Sequence, residues 1–280
     1  MLKIVIDSAG DLPQEWQSEF DIHVIPINIH FENKIFQQGV DLSNDDFYKL
    51  AESTGVIPKT SQPTPQQFVN FYKQIAQASD TILSLHITSK LSGTFNSAVL
   101  AAQELKNKLN IITFDSGSGS AAMGFMCKEI RQLERAGATL QAILARLEVI
   151  RQNVNIVLTL DTLEFARRSG RVKALQATLA TLVKIKPVII LKDGALDTKE
   201  RVRTRKRALD RMLEIIHERV DDRLVNIAVV HSQSIETARE ILQKVHEKFR
   251  VNEAILTELS IGIAANLGPG TIGIVAYAVV

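Results

Sequence analysis

Thr81-Ile-Leu-Ser-Leu-His-Ile87, followed by Ser89-Lys-Leu-Ser-Gly-Thr94 and a helical run to about Lys108, decides the fold class. An apolar run bounded by a polar break predicts a buried strand. A small-residue turn that opens directly into a helix predicts a strand–loop–helix unit. Working outward, the same grammar recurs. Leu2–Ile6 reads as a strand, broken by Asp7-Ser-Ala-Gly-Asp11-Leu-Pro13. Ile22–Phe31 reads as a second extended stretch, and Leu42–Ser53 as a short helix capped near Ser43 or Asn44. Pro58-Lys-Thr-Ser-Gln-Pro63 reads as a rigid polar loop; Thr64 and Pro65 then suit the N-cap and first turn of a helix to about Gln77. Asn110–Phe114 is a strand, and Asp115-Ser-Gly-Ser-Gly-Ser120 leads into a helix to about Arg135, with another over Thr139–Gln152. Strands alternating with helices predict a mostly parallel α/β/α sheet, with functional loops at the strand C-termini.

The second half is patterned differently. Ile156–Leu160 is a strand, Asp161–Ser169 a helix ended by Gly170, and Ala174–Val183 a short helix. Val188–Lys192 and Ala195–Thr198 flank Asp193-Gly194 as a hairpin. Lys199–Arg219 reads as a long helix, Leu224–His231 as a strand, Ile235–Phe249 as a helix, and Ala254–Leu259 and Thr271–Val279 as strands. This mixture predicts an α+β domain with a mixed sheet over residues 154–280, after an α/β domain over 1–153.

Composition narrows the function classes. The chain has 280 residues, 45% hydrophobic and 23% charged, which excludes disordered and fibrous classes. Cys127 is the single cysteine, so an intramolecular disulfide and Cys-rich zinc sites are excluded, and a reducing compartment is expected. The N-terminal apolar run is too short for a signal-peptide core. The uncharged stretch Leu259–Val280 is interrupted by Asn266-Leu-Gly-Pro-Gly270 and reads as two strands, not a membrane span. A cytoplasmic protein is expected. Residues 1–150 carry 12 basic and 16 acidic side chains, net −4; residues 151–280 carry 21 and 15, net +6. The basic half therefore offers a face for something acidic.

Several loops carry candidate chemistry. Ser92-Gly93-Thr94 opens a helix, where backbone N–H groups and the helix dipole favour an anion; an ordinary N-cap is the plainer reading. Thr60-Ser61-Gln62, held between prolines, is donor-rich, or simply a connecting turn. In a parallel sheet the two loops can converge on a hydroxyl-lined anion pocket without a fixed positive charge. Gly117-Ser-Gly119 with Gly124 has the wrong spacing for a dinucleotide fingerprint, and P-loop and G-x-S-x-G patterns are absent. Asp7, Asp11 and Asp115 follow strands and could meet at a metal, but aspartate is also a common turn residue. His86 reads as a core histidine. Lys199, Arg201, Arg203, Arg205, Lys206, Arg207 and Arg211 form one basic cluster, and Arg167, Arg168, Arg171 and Lys173 a second. A solvated helix face is the plainer reading; aromatics are only 5%, so stacking platforms for nucleic acid are not expected, and the alternative is a docking face for an acidic protein or an anionic nucleotide.

Taken in order, Asp7-Ser8, Asp11-Leu-Pro13, Lys59-Thr-Ser-Gln-Pro63, Ser92-Gly-Thr94, Asp115-Ser116, Gly170-Arg171, Lys186-Pro187 and Gly268-Pro-Gly270 resemble the DegV family of bacterial fatty-acid-binding proteins. The resemblance spans nearly the whole chain. It implies a two-domain protein holding one long-chain fatty acid, such as palmitate or oleate, in a tunnel between the domains. It places the carboxylate on Thr60 and Ser92, with Ser61, Gly93 and Asn266 nearby. No cofactor, metal or catalytic residue is implied. Some members serve as the fatty-acid-binding subunit of a fatty acid kinase, which implies a separate kinase subunit as partner, facing Arg171, Arg201, Arg203 and Arg205. Two departures stand out: the family commonly has His where this chain has Asn266, and Ala9-Gly10 changes its opening motif. Physics fits a lipid ligand, because each buried CH₂ contributes about 0.8 kcal/mol, while a buried carboxylate requires donors. The competing enzymatic reading makes Ser92 the nucleophile of an acyl ester or thioester hydrolase, with His86 the nearest base.

Overall fold

The computed structural model describes residues 1–172 and 185–279. The expected helix at Ala174–Val183 and the basic residue Lys173 lie outside the described residues. Two compact units emerge: residues 1–152 with Ser260–Gly262, and residues 153–259 with 263–280. The three-residue stretch Ser260–Gly262, which the sequence assigns to the second half, groups with the first unit.

In the first unit, β1 (Leu2–Asp7), β2 (Ile22–Ile25), β6 (Thr81–His86) and β7 (Asn110–Asp115) form a wholly parallel sheet of order β2-β1-β6-β7. Helices α3 (Pro65–Ile75) and α4 (Thr94–Leu105) cover one face, where Val5, Ile25 and Ile82 pack against Phe68, Tyr72, Ala98 and Leu105. Side chains alternate along a strand, so Ile6 faces the other way from Val5. There it meets the start of α5 (Ala121–Arg135): a Cβ at Gly10 would touch both Ile6 and Met123. The result is the three-layered α/β/α domain expected from the alternating pattern. The start of α3 follows its local code closely, with Thr64 Oγ accepting from Gln67 N–H while the Gln67 carboxamide accepts from Thr64 N–H, a complete capping box.

The remaining elements of this unit are α1 (Gln14–Glu19), β3 (Asn28–Phe31), β4 (Lys34–Gln37), α2 (Asn44–Thr54), β5 (Lys59–Ser61) and α6 (Leu140–Asn153). Two stretches differ from the sequence reading. Ile22–Phe31 is not one extended stretch. Pro26 interrupts it, and β2 pairs in parallel with β1 while β3 turns into a separate antiparallel sheet of order β4-β3-β5. Lys59–Ser61 is a strand rather than a loop, because the flanking prolines remove only their own N–H groups and leave these three residues free to pair with β3.

The second unit is a six-stranded mixed sheet of order β10-β9-β8-β13-β11-β12. Its strands are β8 (Asn155–Thr159), β9 (Lys186–Lys192), β10 (Ala195–Val202), β11 (Val225–His231), β12 (Val251–Glu258) and β13 (Ile272–Ala278). Among the described strands of this unit, β11 and β12 are the pair that runs parallel. Helices α8 (Arg205–Val220) and α9 (Ile235–Lys248) cover a core that includes Val157, Met212, Ile216, Ile227, Val229 and Ile274. A short α7 (Glu164–Ser169) ends on Gly170 at φ 71°.

The expected long helix Lys199–Arg219 begins only at Arg205. Lys199–Val202 instead extends β10, with alternating exposure, and Thr204 caps α8 by accepting from Arg207 N–H. Pairing with β9 overrides the helix propensity of the Lys-Glu-Arg run. The stretch before Gly268 is likewise helical, α10 (Ile261–Leu267), where an apolar strand was expected.

Candidate functional site

The C-terminal edge of the parallel sheet gathers the loops after β1, β6 and β7. Beneath them runs a buried polar chain. Tyr72 Oη lies 2.8 Å from Ser84 Oγ, Ser84 Oγ lies 2.7 Å from His86 Nε2, and His86 Nδ1 lies 3.0 Å from Asp7 Oδ2. All four side chains are fully buried. Asp7 also accepts from the backbone N–H groups of Ala9 and Ile87, which fixes the two loops to each other. His86 is therefore a core histidine, occupied on both ring nitrogens.

Ser92 is half-buried one residue before the N-cap of α4, which is Gly93. Its Oγ lies 2.8 Å from Thr94 Oγ1 and accepts from Thr94 N–H. The side-chain partner of Ser92 is thus a hydroxyl rather than a base.

Thr60 and Ser61 occupy β5, paired opposite Ile29 and Asn28 of β3. Alternation sends their side chains to opposite sides of the small sheet. Ser61 Oγ lies 2.7 Å from His30 Nε2, so the structure separates Ser61 from Thr60. The Gln62 side chain lies over Gly93: a Cβ placed there would come within 2.8 Å of Gln62 Nε2. The two hydroxyl-bearing loops singled out in the sequence are therefore neighbours within the first unit.

Sequence reasoning passed over Asn28, which holds this arrangement, and read Asp11 as a possible metal ligand. Asn28, nearly buried, donates from Nδ2 to Gln62 O and to Gln67 Oε1, each at 3.2 Å, and accepts from Gln67 Nε2 at 3.1 Å. Only the extended run containing Asn28 was legible; its partners are 34 and 39 residues away. Asp11, 3% exposed, accepts from Ser120 Oγ at 2.5 Å and from Ser260 N–H at 2.8 Å. Burial pushes its carboxyl up to about 6, against the opposing pull of those serine donors, with a small further push from Asp7. Ser120 sits at φ 57°, a strained value for a non-glycine residue at the start of α5.

The other sequence candidates resolve individually. Asp115 accepts from Ser89 N–H and Gly117 N–H, as a turn aspartate does. No group of three His, Cys, Asp or Glu side chains among the described residues is placed to hold a metal ion. Gly124 packs against Asp11 O, where a Cβ would approach to 2.8 Å, so it is a close-packing glycine of α5. Asn266 belongs to the second unit, one residue before the end of α10. Of the four arginines expected at a partner face, Arg205 is paired with Asp161, which Lys186 also holds. Arg171 is exposed and donates to Ser169 O, while Arg201 and Arg203 are exposed on and just after β10. Among the described residues no helix is long and apolar enough to cross a membrane.

A parallel α/β/α unit joined to a mixed six-stranded unit defines a two-domain α/β protein, in which the hydroxyl-bearing strand β5 and the loop that opens α4 are neighbours. A family model for the DegV family, described as an uncharacterised protein family, matches residues 1–279, and the chain belongs to that family. It is 29% identical to protein DegV of Bacillus subtilis over 98% of both chains. A DegV domain-containing protein of Deinococcus radiodurans is 31% identical over 98% of this chain and 97% of its own. Among solved structures, a fatty-acid-binding DegV family protein of Thermus thermophilus superposes with a TM-score of 0.92, at 32% identity and 99% coverage of both chains. DegV of Bacillus subtilis, described as a fatty acid binding protein, superposes at 0.90 with 28% identity and 99% coverage of both.

Proposed function

We infer that this chain binds one long-chain fatty acid, with the carboxylate held by the hydroxyls of Thr60 and Ser92. The observation that carries the reading is the contact of Gln62 with Gly93, which makes neighbours of the Thr60 strand and the Ser92 loop in a protein whose solved relatives bind fatty acids. Neutral donors suit a carboxylate that must leave water without being trapped by a fixed cation, and the buried chain supplies most of the affinity. Asn266, at the customary family histidine, keeps a neutral amide in that position.

The protein acts as a carrier without chemistry of its own, and Ser92 serves as a donor, since its hydroxyl pairs with Thr94 rather than with a base. It works in the cytoplasm and presents the bound acid to a separate acid-activating kinase subunit, with Arg201 and Arg203 on the approached face and Arg171 beside them in the same basic half. A binding titration of oleate to Thr60→Val and Ser92→Ala tests the head-group assignment. A hydrogen bond to a charged group contributes about 1.5–3 kcal/mol, so each variant should bind about tenfold or more weakly. Unchanged affinity in both would overturn it.

A further inference from the structure

Gly93 has φ −77° and ψ 3°, a backbone conformation open to any residue. Its lack of a side chain therefore answers a need for space rather than for backbone freedom. The space is filled by Gln62, whose Nε2, Cδ and Cγ would lie 2.8, 3.1 and 3.6 Å from a Cβ at this position. Gln62 is exposed overall, so its carboxamide is not held there by burial. What holds its backbone is Asn28, through Nδ2 to Gln62 O, and Asn28 is in turn locked by a reciprocal amide pair with Gln67 in the cap of α3. A line of contacts runs from the start of α3, through Asn28 and Gln62, to Gly93, the N-cap of α4.

We propose that Gln62, fixed by Asn28 and seated on Gly93, is the spacer that sets the separation of the Thr60 and Ser92 hydroxyls and so makes the site selective for a carboxylate head group. This rests on the fatty-acid reading above. Two hydroxyls grip the two oxygens of a planar carboxylate only at a defined separation, whereas an uncharged head group gains little from either. Asn28 and Gln62 are positioning residues: their effect is on the preference for the charged head group, not on binding of the chain.

The test compares affinities for palmitate and for palmitic acid methyl ester, which share the chain and differ at the head. Gly93→Ala suits it because the Cβ meets only the far end of a flexible side chain, so the fold tolerates it while Gln62 is displaced. The acid-to-ester preference should fall about tenfold in Gly93→Ala, the effect of one charge-assisted hydrogen bond, with the ester affinity unchanged. In a Gln62→Ala background, where the obstruction is gone, Gly93→Ala should have no further effect. Asn28→Ala should lower the same ratio, and Asn28→Asp, which keeps one acceptor but not the donor to Gln62 O, should not restore it. Equal loss of acid and ester, an unchanged ratio, or the same Gly93→Ala effect with and without Gln62 would overturn the spacer. If the wild-type protein binds neither ligand, or both equally, the fatty-acid reading falls and the spacer with it; a wild-type preference that every variant retains overturns the spacer alone.

Discussion

Replacing Asp11 by Asn should stabilise the protein at neutral pH and have much less effect in acid. Asp11 is buried against Ser120 and the Ser260 backbone, and the charge acting on it is that of Asp7, which is negative. Its carboxyl is raised from 3.8 to about 6, so the folded state holds a proton that the unfolded state releases. This contribution favours folding fully below pH 3.8 and is lost as pH rises through about 6. At about 1.36 kcal/mol per pKa unit, the loss is about 3 kcal/mol above pH 7. An asparagine amide can accept from Ser260 N–H and donate to Ser120 Oγ, keeping both bonds without the charge. Asp11→Asn should therefore gain about 3 kcal/mol at pH 7.5 and only about 1 kcal/mol at pH 4.5. Urea unfolding of both proteins across that range measures the difference directly. The comparison cancels groups of opposite sign, such as His23 and His231, which burial holds low and which weaken the fold on acidification. A difference that does not change with pH, or a variant less stable than wild type at pH 7.5, would refute the reasoning.

Other perturbations have equally definite outcomes. Phe68→Ala removes a fully buried ring that packs on Tyr72 and edge-on against His86, and should cost about 3–5 kcal/mol in a urea melt. Ser84→Ala strands Tyr72 Oη and His86 Nε2 in the core at about 1–3 kcal/mol each, a larger loss than its lost volume explains. Thr64→Ala removes the α3 cap at about 1 kcal/mol, seen as a lower thermal midpoint. Arg201→Glu with Arg203→Glu changes exposed side chains and should shift stability by no more than about 0.5 kcal/mol. If a kinase subunit docks on this face as proposed, the same pair should weaken its capture and make it less salt-dependent, read by surface plasmon resonance at two ionic strengths.

The sequence was most legible where local rules and burial agree. Thr81–His86 reads as a buried strand because it is one, and the Thr64-Pro65 start of α3 obeys its cap chemistry. It was least legible where a partner far along the chain decides the outcome. Lys59–Ser61 looks like a proline-locked loop until β3 is beside it, and Lys199–Val202 has helical composition until β9 offers hydrogen bonds. Pro26 did carry the signal that Ile22–Phe31 is two strands, since a missing N–H marks where one ladder stops. Ile261–Leu267 is a short apolar run whose period cannot separate strand from helix. In the site, hydroxyl-rich loops announced themselves by composition. Asn28 did not, and Asp11 was noticed only as a possible metal ligand, because their roles lie in bonds to residues tens to hundreds of positions away.

Native mass spectrometry of the purified protein, followed by extraction and identification of any bound lipid, tests the central claim most directly. The account predicts one fatty acid per chain in the wild-type protein, and a much smaller loaded fraction in the double variant Thr60→Val with Ser92→Ala. A wild-type protein that carries no lipid and takes up neither palmitate nor oleate would contradict it, as would a double variant that keeps its full complement.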